Sequence, residues 1–155
     1  MTRVAVEVEC ADWRRDAPDV RDIVRRAARV ATPVAGGDTL AILLTDDAAV
    51  RDLNARFRGK DAPTNVLAFP AAPGAGHLGD IALAHGVCAR EAAEQGKALV
   101  DHLRHLVVHG VLHLAGHDHQ TDAEAAAMET LERHLLARLG VSDPYAARDL
   151  DEAHG

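Results

Sequence analysis

The feature that most constrains the fold is an apolar segment, residues 99–114, that carries four histidines. Its apolar residues fall on nearly every side of a helical wheel, which is typical of a helix buried inside a domain. The histidines recur every three or four residues and share one narrow stripe of that helix: His102, His105, His109 and His113. Imidazoles that face hydrocarbon are costly, so this stripe requires a metal, a cavity or hydrogen-bond partners.

The end of this segment has the spacing of a metal site. His109 and His113 are four residues apart, which puts both imidazoles on one helical face. Gly116 then allows the backbone to leave the helix, so that His119 can reach the same point. Three imidazoles leave the fourth position of a tetrahedral ion open, as in catalytic zinc sites. The sequence therefore predicts one Zn²⁺ held by His109, His113 and His119, a donor set that Ni²⁺ also accepts.

The histidine spacing resembles the extended signature of zincin metalloproteases, H-E-x-x-H-x-x-G-x-x-H. Gly110 stands where those enzymes carry their general-base glutamate. The pattern thus predicts the ligands without the peptidase base. It also suggests that Gly110 leaves room beside the metal for a bulky substrate.

The neighbouring residues of the motif leave several roles open. His117 could replace His119 or add a fourth nitrogen, although the spacing favours His119. Asp118 could orient an imidazole, cap the turn or act as a base. We expect His105 to support the ligands or to pack in the core, and His102 to lie near the surface.

Length and patterning predict a single domain of α+β or mixed α/β type, and we favour α+β. The chain has 155 residues, and Val, Leu, Ile and Ala must form its core because aromatic residues make up only 3%. We predict a mixed four-stranded sheet packed with about five helices, with the zinc on a buried helix and the turn after it. The first two strands should be parallel and the last two could form a hairpin. We predict a domain over residues 1–142 and a flexible acidic tail over 143–155.

Local patterns place the elements along the chain. Strands are predicted at residues 4–8, 39–44, 65–70 and 78–83, and helices from about 19 to 30, 47 to 56, 85 to 95, 97 to 114 and 121 to 139. The run Thr45-Asp46-Asp47 can cap the helix that begins near residue 47, and Thr121 opens a capping box with Glu124. Residues 57–64 have the composition of a loop.

The net charge of −7 is concentrated at the C-terminus, where residues 118–155 hold nine acidic and three basic side chains. Elsewhere lies a local basic block: Arg51, Arg56, Arg58 and Lys60. On charge alone it can be a phosphate-binding surface or, equally, an ordinary solvated helix face. Six arginines between Arg14 and Arg29 are interpreted mainly as a solvated helix surface, with phosphate contact as the minor alternative.

Nothing in the sequence indicates a membrane protein or an exported one. No apolar run approaches the roughly 18 residues of a membrane span, and the first residues lack a signal-peptide pattern. The two cysteines, Cys10 and Cys88, are far apart and are expected to be reduced thiols. We therefore expect a cytoplasmic protein.

Two further segments, taken with the histidine motif, resemble the bacterial YbeY family. They are residues 53–70, which include the run Arg58-Gly59-Lys60-Asp61, and residues 78–81, Leu78-Gly79-Asp80-Ile81. The resemblance covers essentially the whole chain outside the tail. His117 departs from it, since the family usually has tyrosine there, and this leaves open a fourth nitrogen donor.

The resemblance implies a function and a set of site residues. It implies a single-strand-specific, metal-dependent endoribonuclease that acts in 16S rRNA 3′-end maturation and ribosome quality control. The partners would be rRNA, the small ribosomal subunit and its associated factors, without DNA or membrane. It further implies that His109, His113 and His119 bind zinc, that His113 is needed for catalysis, and that Arg58 lies near the metal in an RNA groove.

A mechanism follows as a hypothesis, with two alternatives. Zinc-activated water would attack a phosphodiester while Arg58, with Lys60, holds the phosphate. One alternative is a zincin-like peptidase or amidase that lacks the usual glutamate. The other is a non-catalytic ribosome-assembly factor with a structural zinc. Low aromatic content gives no support for base stacking, so RNA as substrate depends on the resemblance and the basic block.

Overall fold

A computed structural model describes residues 3–35, 39–72, 74–116 and 120–145, apart from the side chains of residues 33–35. Four strands form the sheet: β1 (Arg3–Val8), β2 (Thr39–Thr45), β3 (Val66–Pro70) and β4 (Gly79–Ala84). Six helices lie in this part of the chain: α1 (Ala11–Asp16), α2 (Val20–Ala35), α3 (Asp47–Arg58), α4 (His85–Glu94), α5 (Leu99–Leu114) and α6 (Asp122–Arg138).

The strands form one mixed sheet in the order β1-β2-β4-β3. β1, β2 and β4 are parallel, in a register that pairs Val6 with Ile42 and Ile42 with Ile81. β3 runs antiparallel to β4 as the other arm of a hairpin, with Ala68 opposite Ile81. The predicted parallel pair, the hairpin and the mixed four-stranded sheet are confirmed.

The two faces of the sheet are covered unequally. α2 and α5 pack together over one face, where the largest core cluster also includes residues of α6. α3 covers part of the other face through a small cluster around Val50, Leu67 and Ala82. The core is aliphatic apart from Trp13, as the low aromatic content predicted. The four-stranded sheet and its helices confirm the α+β class.

Two helical features differ from the prediction. α1 was not predicted; it holds Trp13 fully buried, with Nε1 donating to the Thr45 carbonyl at 2.9 Å. The predicted loop over residues 57–64 is wrong at its start, because α3 continues to Arg58 and ends at Gly59 with φ +70°. The described chain therefore has six helices rather than about five.

Both predicted helix caps are confirmed. The Ala49 amide donates to Asp46 Oδ1 at 2.8 Å at the start of α3. The Glu124 amide donates to Thr121 Oγ1 at 3.1 Å at the start of α6. Of the helices that the structure describes, none combines the length and apolar character of a membrane span.

Candidate metal centre and RNA cleft

The C-terminal half of α5 brings two of the predicted ligands to one cleft. His109 and His113 line a cleft of about 150 Å³ together with Arg58, Gly110 and three residues of β3: Val66, Leu67 and Ala68. The helix is held in place because its apolar residues are buried between the sheet, α2 and α6. Two imidazoles one turn apart on a buried helix have the chemistry and spacing of a zinc donor pair.

The third predicted ligand lies outside the described residues. His119 belongs to residues 117–119, as do His117 and Asp118. Within the described ranges, no group of three or more His, Cys, Asp or Glu side chains is arranged to hold a metal ion. The three-histidine set and the roles of His117 and Asp118 thus stay predictions.

A buried carboxylate on α6 orients His109. Glu132 is 1% exposed, and its Oε1 lies 2.5 Å from His109 Nδ1. A carboxylate on one imidazole nitrogen is the arrangement that directs the other nitrogen, here Nε2, toward a metal in carboxylate–histidine–zinc triads. The described donors therefore fit a zinc site in which His109 would coordinate through Nε2.

Two other side chains contact the second carboxylate oxygen of Glu132, Oε2. The Tyr145 hydroxyl donates to Oε2, and His105 Nε2 lies 3.4 Å from the same atom. Burial by itself raises the pKa of Glu132, but the hydrogen bonds from His105, His109 and Tyr145 outweigh it and lower that pKa to about 2. Glu132 is therefore an ionised carboxylate at neutral pH, and its contacts agree with the expected supporting role of His105.

Arg58 reaches the cleft from the end of α3. Its Nη2 donates to the Ala68 carbonyl at 2.7 Å, and its guanidinium carbon lies 5.5 Å from the Phe69 ring centroid. These contacts hold the guanidinium beside β3, on the cleft that His109 and His113 also line. Lys60 is exposed two residues later and is not among the residues that line this cleft.

The rest of the basic block is largely neutralised. Arg51 pairs with Asp61 at 2.8 Å, and Arg56 pairs with Asp52 at 3.4 Å. Arg58 and Lys60 have no ion pair within the described part of the chain. Of these two cations, Arg58 is the one that lines the cleft.

Two details of the histidine helix bear on the prediction. His102 is buried, not near the surface, and its Nε2 lies 2.9 Å from Glu91 Oε1. A Cβ added to Gly110 would point at β4, 3.0 Å from Ile81 Cδ1. The lack of a side chain at Gly110 therefore allows α5 to approach the sheet. Gly110 also lines the cleft beside His109 and His113, and its role in leaving room for a bulky substrate stays a prediction.

Sequence reasoning did not single out Glu132 or Tyr145. Glu132 could have been noticed because it lies on the buried face of α6, spaced four and three residues from Met128 and Leu135. A charge among apolar helix positions requires a partner. Tyr145 offers no comparable local pattern, and it falls in the predicted tail.

Comparisons with known proteins identify the family of this chain. The family model described as Endoribonuclease YbeY matches residues 3–140. A protein named Endoribonuclease YbeY from Chelativorans sp. (strain BNC1) is 54% identical over 149 residues, which cover 90% of each chain. One from Maricaulis maris (strain MCS10), with the same name, is 61% identical over 111 residues, covering 71% of this chain and 69% of that protein.

A solved structure supports the fold. The solution structure of TM1509 from Thermotoga maritima has a TM-score of 0.52 and 23% identity, and it covers 93% of this chain and 98% of that one. At this identity the likeness shows the architecture alone. The family match and the curated relatives show more: the chain belongs to the YbeY family of endoribonucleases.

Proposed function

We propose that this chain is a metal-dependent endoribonuclease that hydrolyses phosphodiester bonds in single-stranded RNA. One observation carries the proposal: Arg58 lines the same cleft as His109 and His113, in a member of an endoribonuclease family. A guanidinium beside a pair of metal-ligand side chains combines a phosphate-binding group with a metal donor set. The proposed ligands are His109, His113 and His119.

The metal would be Zn²⁺, with Ni²⁺ as the alternative for three imidazoles. When bound, such an ion lowers the pKa of its water to roughly 7 and polarises a phosphoryl oxygen. The contribution of the chain is to hold the imidazoles in position. Glu132 does so for His109 through the 2.5 Å contact at Nδ1.

Arg58 is proposed to bind the phosphate and to stabilise the charge that develops during cleavage. The Ala68 carbonyl and the Phe69 ring hold its guanidinium, so little side-chain freedom is lost when the phosphate binds. The exposed Lys60 would contact the RNA strand farther from the reacting phosphate. Glu132 is engaged by His105, His109 and Tyr145, which favours a positioning role over direct proton transfer.

The biological role that we propose is maturation of the 16S rRNA 3′ end and ribosome quality control in the cytoplasm. Its partners would be rRNA, the small ribosomal subunit and associated factors. This part rests on membership of the family and on the position of Arg58 in the cleft. DNA and membranes are not expected as partners.

The deciding experiment offers the purified chain several substrates, with and without a chelator. The substrates are single-stranded rRNA fragments that include a 16S 3′ end, the same RNA annealed to a complement, single-stranded DNA, and casein peptides. We expect cleavage of single-stranded RNA only, lost with chelator and restored by Zn²⁺. Peptide cleavage without RNA cleavage would favour the zincin alternative, and rRNA binding without cleavage would favour the assembly factor.

A further inference from the structure

A second basic surface lies between α2 and α6, apart from the residues that line the histidine cleft. It is a groove of about 520 Å³ lined by Asp22, Arg25, Arg26, Arg29, Val30 and Arg138. We call it the arginine groove. Four guanidinium groups and a single carboxylate line it, on a chain whose net charge is −7.

The arginines share the groove because of their spacing along α2. Asp22, Arg25, Arg26 and Arg29 follow an i, i+3, i+4, i+7 pattern, which puts them on one side of the helix. Val24, Ala27 and Ala28 lie on the opposite side and are fully buried in the core. Arg138 adds the fourth guanidinium from the last turn of α6.

The arginines of the groove differ from most other arginines of the described ranges because they form no ion pairs with carboxylates. Six arginines in the described ranges form ion pairs with carboxylates: Arg15, Arg51, Arg56, Arg90, Arg104 and Arg133. In the same ranges Arg26, Arg29 and Arg138 form none, and Arg25 Nε donates to the Val4 carbonyl at 3.3 Å. The groove therefore concentrates positive charge that no ion pair within the described ranges neutralises. A bound anion would reduce the repulsion between its guanidinium groups.

We propose that the arginine groove binds the phosphodiester backbone of single-stranded RNA, as an anchor remote from the cleavage point. The inference rests on the proposed endoribonuclease function. One guanidinium group can donate two hydrogen bonds to the oxygens of one phosphate. Arg26, Arg29 and Arg138 would then contact three successive phosphates of the strand. α6 connects the groove to the metal centre, since Arg138 follows Glu132 by six residues, about 9 Å along the helix axis.

The test compares two triple variants that remove equal charge. The groove variant is Arg26→Gln/Arg29→Gln/Arg138→Gln, and the control is Arg14→Gln/Arg15→Gln/Arg90→Gln. All six side chains are exposed, so both variants should fold, which circular dichroism checks. Binding of a labelled 20-nucleotide RNA is measured by anisotropy over a range of salt concentrations, using chelated protein so that no cleavage occurs. Cleavage of the same RNA is measured separately with Zn²⁺.

We expect the groove variant to lose about two units from the slope of log affinity against log salt, because each lost phosphate contact removes roughly 0.7. The control should retain the wild-type slope. In the cleavage assay the groove variant should raise KM roughly tenfold or more with kcat nearly unchanged, because the metal centre is intact. Its zinc content should equal that of the wild type.

Other outcomes separate this inference from the proposed function. Equal slopes for the groove and control variants, with a wild type that cleaves RNA, would contradict RNA binding by the arginine groove and leave the proposed function intact. A wild type that binds RNA through the groove without cleaving it would contradict the proposed function and support RNA binding by the groove. Binding of phosphatidylglycerol vesicles that the groove variant loses, with unchanged RNA binding, would assign the groove to a membrane surface and overturn the inference.

Discussion

Nδ1 of His109 lies 2.5 Å from Oε1 of Glu132, a residue 23 positions later in the chain. The contact joins the ligand-bearing helix to α6 and fixes the orientation of an imidazole that we assign to the metal. Because Glu132 is 1% exposed and ionised, its charge is directed at His109, His105 and Tyr145 rather than at solvent. The geometry of the candidate metal centre thus depends on packing between two helices.

Replacing Glu132 with glutamine should weaken zinc binding roughly 10- to 100-fold, as expected when the carboxylate behind a ligating histidine is lost. Competition with a chromophoric chelator measures the affinity. In the metal-free protein, NMR of the ring nitrogens should show that His109 no longer keeps its proton mainly on Nδ1. Glu94→Gln, an exposed change on α4, is the control. Unchanged affinity and tautomer in Glu132→Gln would contradict the orienting role.

Replacing Arg58 with alanine should reduce RNA cleavage roughly 100-fold, the usual effect of losing one group that stabilises transition-state charge. Zinc content should stay unchanged because Arg58 is not a ligand. Arg58→Lys should restore only part of the activity, since lysine lacks the planar fork. The matched control is Arg56→Ala, two residues earlier on α3 and paired with Asp52. Normal cleavage by Arg58→Ala would remove this residue from the mechanism.

Gly79 permits the close approach of the β3–β4 hairpin to the end of α5. A Cβ at this position would lie 2.5 Å from the Phe69 carbonyl oxygen and 2.7 Å from Leu114 Cδ2, with φ at +154°. Gly79→Ala should therefore lower the free energy of unfolding by about 2 kcal/mol or more. Gly74→Ala, with φ +79° and no atom within 4 Å, should cost only about 1 kcal/mol. Urea unfolding gives both values, and equal losses would contradict the packing argument.

The buried His102 should make stability depend on pH. Burial lowers the pKa of His102 below its usual value, although the hydrogen bond with Glu91 opposes that shift. The unfolded chain, in which His102 has an ordinary pKa of about 6.5, then binds more protons than the folded chain. Stability should therefore fall as the pH decreases from about 6.5 through the folded-state pKa.

His102→Gln tests this dependence because glutamine keeps a polar group near Glu91 and does not titrate. We expect metal-free wild-type protein to lose more stability between about pH 7.5 and about pH 5.5 than the variant does. Urea midpoints at the two pH values provide the comparison. An equal loss in both proteins would show that His102 does not contribute.

Local patterns in the sequence predicted most of the elements, because periodicity and capping act over a few residues. The strands, the Asp46 and Thr121 caps and the burial of α5 follow from such patterns. α1 was missed because its short helix is mostly charged and only Trp13 marks its buried side. Arg58 was assigned to a loop because residues 57–64 together have the composition of a loop.

The candidate site was predicted less completely, because its geometry depends on contacts between distant segments. The spacing of His109 and His113 is local and could be interpreted directly. Glu132 reaches His109 only through the packing of α6 on α5, and Tyr145 reaches Glu132 only after the chain passes the end of α6. The contact between His102 and Glu91 likewise joins α5 to a different helix, α4.

Zinc content measured together with RNA cleavage in His113→Ala tests most directly whether His113 binds a metal that cleavage requires. The control is His134→Ala, which removes an exposed histidine from α6. We predict that wild type and His134→Ala bind about one zinc per chain and cleave single-stranded RNA, whereas His113→Ala loses both the metal and the cleavage. Retained zinc and full cleavage in His113→Ala would contradict it.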